Sequence, residues 1–513
     1  MGSFSHERNF AKCGSLVCMA LLIPLSIRLV AAQETQSGNS GSSATVSLPD
    51  APDLPSPDRG PLATNGAPEN SNSPPQLRQT IEDQSDDQEN PAFISKHLIM
   101  DRFWISGQSN FIFQAHTPFH SPYSGMNSFH AYGEDALSRT LTLYTGVRLF
   151  RFTDVIASVD ESGGSGLNDG QGIAAYVNAD VVSPGLSRAV YLSRAFYYHM
   201  IPLTADRVNE DPNPFILQSP IPRRRFEYAL GKLNLLDFFD VNEVGSDTHL
   251  QFTNLAIGNT GTYENGSDGH GETVAAMLNF QGPRFGLRFA EALLPKFSTG
   301  SDLDYNIGHS RAENFQLDYS DYALQGYATH VRALGFVSHA DLGNYREAND
   351  AYLSGRDMKP DITLHRHEGT MKPGFCFNFE QDLPRNFRVY MRTGWNDSAY
   401  ESFTFSEMND TISIGVDLSG DAWHRKVDRI GSAVVNSGLG RDHRQYLALG
   451  GIGFMLGDGG LHYGRETASE TYYTAHVFGG LYFAAQVSFV NNPGFNRDRG
   501  PVIVPGLRAH IDF

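Results

Sequence analysis

From Phe103 onward, large apolar residues recur at every second position in runs of about ten residues. In RTLTLYTGVRLF (139–150), Leu141, Leu143, Val147 and Leu149 share one face, and Thr142, Tyr144, Gly146 and Arg148 share the other. VAAMLNFQGPRFGLRFA (274–290) reads as a hairpin. Val274, Ala276, Leu278 and Phe280 run along one arm, Gln281-Gly282-Pro283 turns, and Phe285, Leu287 and Phe289 return. Arg284, Gly286 and Arg288 take the opposite face. FCFNFEQDLPRNFRVYMRTGW (375–395) repeats the design, with Phe375, Phe377, Phe379, Phe387, Val389 and Met391 set against Glu380, Arg388, Tyr390 and Arg392. Strand side chains alternate with period two, so each run predicts a β-strand with one apolar and one polar face.

The polar face narrows the fold. A soluble barrel or sandwich packs small apolar residues inside, whereas these strands pair a Phe/Leu face with an Arg/Glu/Tyr/Asn face. That sorting suits a barrel with lipid outside and water inside, and lipid requires the sheet to close because it satisfies no backbone hydrogen bonds. Connections such as QGP and QDLPRN are short, while GNTGTYENGSDGHGE and SGRDMKPDITLHRHEG are long and polar. The expectation is an all-β transmembrane antiparallel barrel with short periplasmic turns and long extracellular loops. Residues 96–513, at roughly 26 per strand plus connection, give about 16 strands. The chain stops on LRAHIDF, with Leu507, Ala509, Ile511 and Phe513 on one face. The last strand therefore reads as the one that closes the barrel, and its terminal Phe513 as a signal for the outer-membrane barrel assembly machinery.

The N-terminal region has a different grammar. Arg8 and Lys12 precede the apolar run Leu16 to Ile27, and Val30-Ala31-Ala32 follows, which predicts an export signal over residues 1–32. Residues 33–95 are rich in Ser, Pro, Gly and Asp, and too poor in large apolar residues to offset their ordering entropy, so a disordered tail is expected. Cys13 and Cys18 fall in the signal, leaving Cys376 alone in the mature chain, too few for a disulfide framework or a multi-cysteine zinc site. No apolar run is long enough for a membrane helix. A formal net charge of −18 argues against nucleic acid as a partner.

Four stretches resemble the carbohydrate-selective porin family, the OprB type: ALGKLNLLDFFDVNEVGSDTHLQFTNLAI (229–257), RTGWNDSAYESFTFSEMNDTISIGVDLSGDAW (392–423), DRIGSAVVNSGLGRDHRQYLALGGIGFMLGDGGLHYGRETASETYY (428–473) and NNPGFNRDRGPVIVPGLRAHIDF (491–513). Residues 150–225 and 340–372 carry no clear likeness. The resemblance implies a passive outer-membrane channel of sixteen strands that admits sugars such as glucose.

A sugar channel needs planar hydrogen-bonding groups and an aromatic face, with binding weak enough for release. By alternation the lumen-facing candidates are Arg148, Glu227, Lys232, Arg284, Arg288, Glu380, Arg388, Arg392, Glu466 and Glu470. Each either touches sugar or only solvates the lumen and pairs across strands. Trp395 stands either in the lumen or in the aromatic girdle at the lipid interface. Arg223-Arg224-Arg225 is the one basic cluster, placed in the channel, against lipopolysaccharide phosphates, or in a loop. His365, His367 and Glu368 lack a third ligand fixed in sequence, and no metal or cofactor is expected. There is no nucleophile elbow and no phosphate loop, so an enzymatic barrel has no motif behind it. The alternatives to a sugar porin are a general-diffusion porin and a plugged barrel. Sugars, outer-membrane lipid and lipopolysaccharide are the expected partners, and a monomer is favoured.

Overall fold

The computed structural model describes residues 98–513 apart from 101, 181–188, 211–212, 299, 325 and 405. The predicted signal and tail lie outside the described residues. Sixteen long strands follow one another: β1 (Phe103–His116), β2 (Glu134–Phe150), β3 (Thr153–Gly164), β4 (Tyr191–Pro202), β5 (Arg225–Leu233), β6 (Thr273–Gln281), β7 (Phe285–Ala292), β8 (Arg311–Leu324), β9 (Tyr327–Gly343), β10 (Arg366–Leu383), β11 (Phe387–Asn396), β12 (Asp410–Gly420), β13 (Arg425–Gly438), β14 (Glu466–Phe478), β15 (Leu481–Asn491) and β16 (Val502–Asp512). Each pairs antiparallel with the next, and β16 pairs with β1 from Gly506↔Gln114 to Asp512↔Gln108. The sheet is a closed barrel, so no backbone edge faces lipid.

Closure reaches the final residue. Phe513 N donates to Gly107 O (2.9 Å) and Gly107 N donates to Phe513 O (2.7 Å). The alternation read from LRAHIDF is present: Leu507 is 61% exposed on the outer face, and Arg508 only 2% on the inner one.

The two ends differ. Connections at one end are mostly brief, such as 151–152, 282–284 and 479–480. An exception is 203–224, which carries a small hairpin of Arg207–Val208 with Ile221–Pro222. The basic cluster sits here, at the short-turn end, with Arg225 turned inward onto Glu227. At the other end the connections are long, including L2 (165–190), L3 (234–272), L6 (397–409) and L7 (439–465).

The lumen is not simply polar. L2 and L3 fold into it and bring an apolar cluster with them. Ile173, Ala174 and Tyr176 of L2 pack with Phe252, Leu255 and Ile257 of L3, against Tyr390 and Tyr472 of the wall. L3 holds its own shape through three asparagines, each accepting backbone N–H groups one turn ahead. Asn234 caps Leu236 N (2.9 Å), Asn242 caps Val244 N (2.8 Å) and Gly245 N (3.1 Å), and Asn254 caps Ala256 N (3.1 Å) and Ile257 N (3.2 Å). These side chains satisfy donors that would otherwise be orphaned at the start of each turn.

A braced constriction as the candidate functional site

The wall grips L3 by its backbone. Carboxylates take N–H groups: Glu470 accepts from Thr253 N and Asn254 N (both 2.8 Å), and Glu380 from Glu243 N (2.7 Å). Arginines take carbonyls: Arg392 donates to Ile257 O (2.8 Å), and Arg508 to Thr248 O (2.9 Å) and Gln251 O (3.0 Å). Arg392 also reaches Ser246 Oγ (2.6 Å), and Arg288 donates to Phe238 O. Glu466 holds L2 in the same way, accepting from Ala174 N (3.0 Å) and Ala175 N (2.9 Å), and from Gly494 N (2.7 Å) beyond β15. Charge-assisted bonds to backbone groups are stronger than neutral ones, and buried backbone groups need partners. The loops are therefore fixed in the bore.

Toward the short-turn end runs a belt of alternating charge. Arg288 lies 3.9 Å from Asp318, and Asp318 lies 3.9 Å from Arg332. Arg332 pairs with Glu380. Arg388 lies 3.9 Å from Glu243 of L3 and makes a two-armed bond to Asp417, which Arg429 also reaches at 3.2 Å. Arg332 Nη2 and Arg388 Nη1 are buried N–H donors without a hydrogen-bond acceptor.

L6 and L7 brace each other above the bore. Glu407 accepts from Met455 N (2.9 Å) and Leu456 N (2.7 Å). Burial pushes its carboxyl up to about 7, against the pull of those two N–H groups. Nearby His443 stacks on Tyr345 with ring centroids 4.1 Å apart, and burial takes its imidazole down to about 3.

Seven of the residues singled out in the sequence converge on this construction: Glu227, Arg288, Glu380, Arg388, Arg392, Glu466 and Glu470 all face inward and are buried. Glu227 is taken up by Arg225 and Asn279. Arg148 is inward too, but near the short turns, donating to Leu217 O. Three residues stand elsewhere. Arg284 belongs to the turn, not to β7, with its side chain 54% exposed and 3.5 Å from Asp321. Lys232 shares the outward parity of Phe226 and Tyr228, and donates to Leu192 O (2.9 Å); Gly231, beside it at φ 137, faces inward. Trp395 is 40% exposed on the outer face beside Phe375, so it belongs to the aromatic girdle and not to the lumen. Arg332, Asp318, Asp417, Arg429 and Arg508 were absent from the candidates, although strand alternation alone would have found them. Glu243 and Glu407 sit on loops, where no period marks them.

Among solved structures, Pseudomonas putida OprB in its high-pH form matches with a TM-score of 0.62 at 13% identity, covering 80% of this chain and 94% of that one. Its low-pH form gives 0.45 at 9% identity, covering 83% and 99%. The outer membrane channel DcaP of Acinetobacter baumannii gives 0.41 at 8%, covering 80% and 97%. No curated protein matches the chain. The description "Carbohydrate-selective porin, OprB family" matches residues 136–513. The chain belongs to this family. It is a porin of the bacterial outer membrane, a passive channel for carbohydrates. The family match spans both segments that carried no clear likeness in the sequence. In this porin the braced L3 narrows the bore, and the charged belt lies beside it.

Proposed function

We propose that the belt, centred on Arg332 and Arg388, is where the porin reads sugar hydroxyls. The observation that carries this is the pair of buried guanidinium donors without acceptors, Arg332 Nη2 and Arg388 Nη1. A hydroxyl oxygen entering the belt would give them what they lack, while carboxylates of Glu243, Glu380 and Asp417 stand ready to accept hydroxyl protons. The belt balances four arginines (288, 332, 388, 429) against four carboxylates (Glu243, Asp318, Glu380, Asp417). Neutral polyhydroxylated solutes suit such a surface better than either ions or apolar solutes. Passage needs no covalent step. The sequence features of residues 1–32 and of Phe513 support export to the periplasm and delivery to the assembly machinery.

The test is single-channel conductance in a planar bilayer with glucose, maltose and a neutral non-sugar of similar size. The reading expects saturable block by a sugar alone, weakened in Arg332→Ala and Arg388→Ala. Block by neither solute, or block unchanged in both variants, would sink it.

A further inference from the structure

At the short-turn end, the stretch of rim from β1 to β5 carries four arginines that no carboxylate takes up. Arg102, Arg151 and Arg224 are exposed, and Arg207 is half-buried. Arg102 donates to Arg148 O (3.2 Å), and Arg207 to Thr204 O (2.7 Å). The guanidinium groups of Arg151 and Arg207 lie 5.0 Å and 5.4 Å from the centre of the Phe152 ring. Among the described residues none of the four has an ion pair, and Asp206 is the one exposed carboxylate on this stretch. Arginines elsewhere on the outer surface differ. Arg139 holds Glu161 (2.6 Å), Arg425 holds Asp428 (2.5 Å), and Arg284 lies 3.5 Å from Asp321.

The described chain enters at this same place. Leu98 and Ile99 pair with Trp104 and Phe103 at the start of β1. Just ahead in the sequence, IEDQSDDQEN (81–90) sets Glu82, Asp83, Asp86, Asp87 and Glu89 within eight residues, with no Arg or Lys between Arg78 and Lys96. The tether is long enough to bring these charges to the rim. The thirteen residues from Ser85 to Leu98 reach up to about 45 Å. The four strand steps from β1 to β5 cover only about 20 Å of wall.

We propose that the acidic stretch 82–89 of this chain docks on the rim formed by Arg102, Arg151, Arg207 and Arg224. Guanidinium groups take carboxylates with two parallel bonds, and these four have no other carboxylate among the described residues. Single exposed ion pairs are weak, but the tether holds the carboxylates at high effective concentration, so several weak pairs suffice. Docked there, the stretch cancels a positive rim that would otherwise draw anions to this mouth of the channel. Lipid phosphates are the rival anion, and the test separates the two.

The rate of disulfide formation in protein purified from outer membranes tests this, because Cys376 is buried and Cys13 and Cys18 fall in the predicted signal. Ser85→Cys leaves all five carboxylates in place. Leu203, 45% exposed, donates its N–H to Arg224 O (2.9 Å) and so marks the rim. Phe478, 59% exposed at the end of β14, lies on the other side of β1, within reach of the same tether. On mild oxidation in neutral detergent at low salt, Ser85→Cys/Leu203→Cys should close about tenfold faster than Ser85→Cys/Phe478→Cys, the factor that two or three exposed ion pairs supply. The advantage should vanish in about 1 M salt. It should vanish too when the five carboxylates become amides, a change that leaves the barrel sequence intact. Arg151→Gln/Arg207→Gln/Arg224→Gln should remove it while keeping the heat-sensitive gel mobility of a folded barrel. Equal rates at 203 and 478, or a fast rate that survives the amide variant, would overturn the proposal. An advantage present in neutral detergent but lost in vesicles of phosphatidylglycerol would give the rim to lipid phosphate and overturn it as well.

Discussion

Phe513 and Gly107 are joined by both of their backbone hydrogen bonds, and the phenyl ring occupies the space a side chain at 107 would need. A Cβ built on Gly107 would stand 2.5 Å from Phe513 Cζ. The terminal ring therefore has a seat only because residue 107 is glycine. Gly107→Val should displace the ring and lower the yield of closed barrel, read as the fraction with heat-sensitive mobility on a gel. Phe513→Ala in the same background should add little further loss, since the seat is already gone.

Glu470 is the point where L3 meets the wall. Glu470→Ala strands the buried N–H groups of Thr253 and Asn254, at a cost of about 1–3 kcal/mol for each. L3 should loosen, so single-channel conductance rises and sugar block weakens. Glu470→Gln keeps one acceptor and should fall between the two. Unchanged conductance in the alanine variant would show that L3 is held without it.

Arg388 holds Asp417 and faces Glu243. Removing its charge leaves one more carboxylate than arginine in the belt. Arg388→Ala should shift the reversal potential in a salt gradient toward cation preference, and Arg388→Lys should restore most of the balance but not the two-armed bond.

Trp395 lies on the lipid side. Trp395→Ala should leave conductance and sugar block unchanged, and change only the stability of the folded barrel in detergent. A lost sugar block would put this residue in the transport path after all.

Glu407 carries a pH dependence of known sign. Its folded pKa of about 7 exceeds the unfolded value near 4.3, so the folded chain keeps a proton that the unfolded chain has lost. Its contribution to stability is fully present below about 4.3, declines as pH rises toward 7, and is constant above that. Glu407→Gln keeps an acceptor for Met455 N or Leu456 N and cannot ionise. The melting temperature of this variant relative to wild type should climb between pH 4.5 and 7.5, with at most about 3 kcal/mol at stake.

Much of this fold is legible in the sequence because a barrel in lipid obeys one rule at every strand. Phe375, Phe377 and Phe379 outward, with Arg388 and Arg392 inward, follow from period two alone. The inward fold of L3 does not. Residues 234–272 read as a polar, glycine-bearing loop, and the asparagines that shape it look like ordinary turn residues. What keeps L3 in the bore is its pairing with Glu380, Arg392, Glu470 and Arg508, which lie more than a hundred residues away. Alternation holds only within a strand and only when counted through. Arg284 continues the parity of Gly286 and Arg288 but lies in the turn, and Lys232, five residues from inward Glu227, has outward parity.

Among the wall residues that hold L3 between Phe238 and Ile257 are Arg288, Glu380, Arg392, Glu470 and Arg508, and all five come later in the chain than the loop itself. This imposes an order on maturation. While strands are still being added, L3 is held only by β4, through Arg194 on Asp237, and by L2, through bonds such as Leu255 N to Tyr176 O (2.9 Å). Arg508, on the strand that shuts the cylinder, completes the set. The event that seals the protein against the lipid is thus also the one that gives the passage its working width.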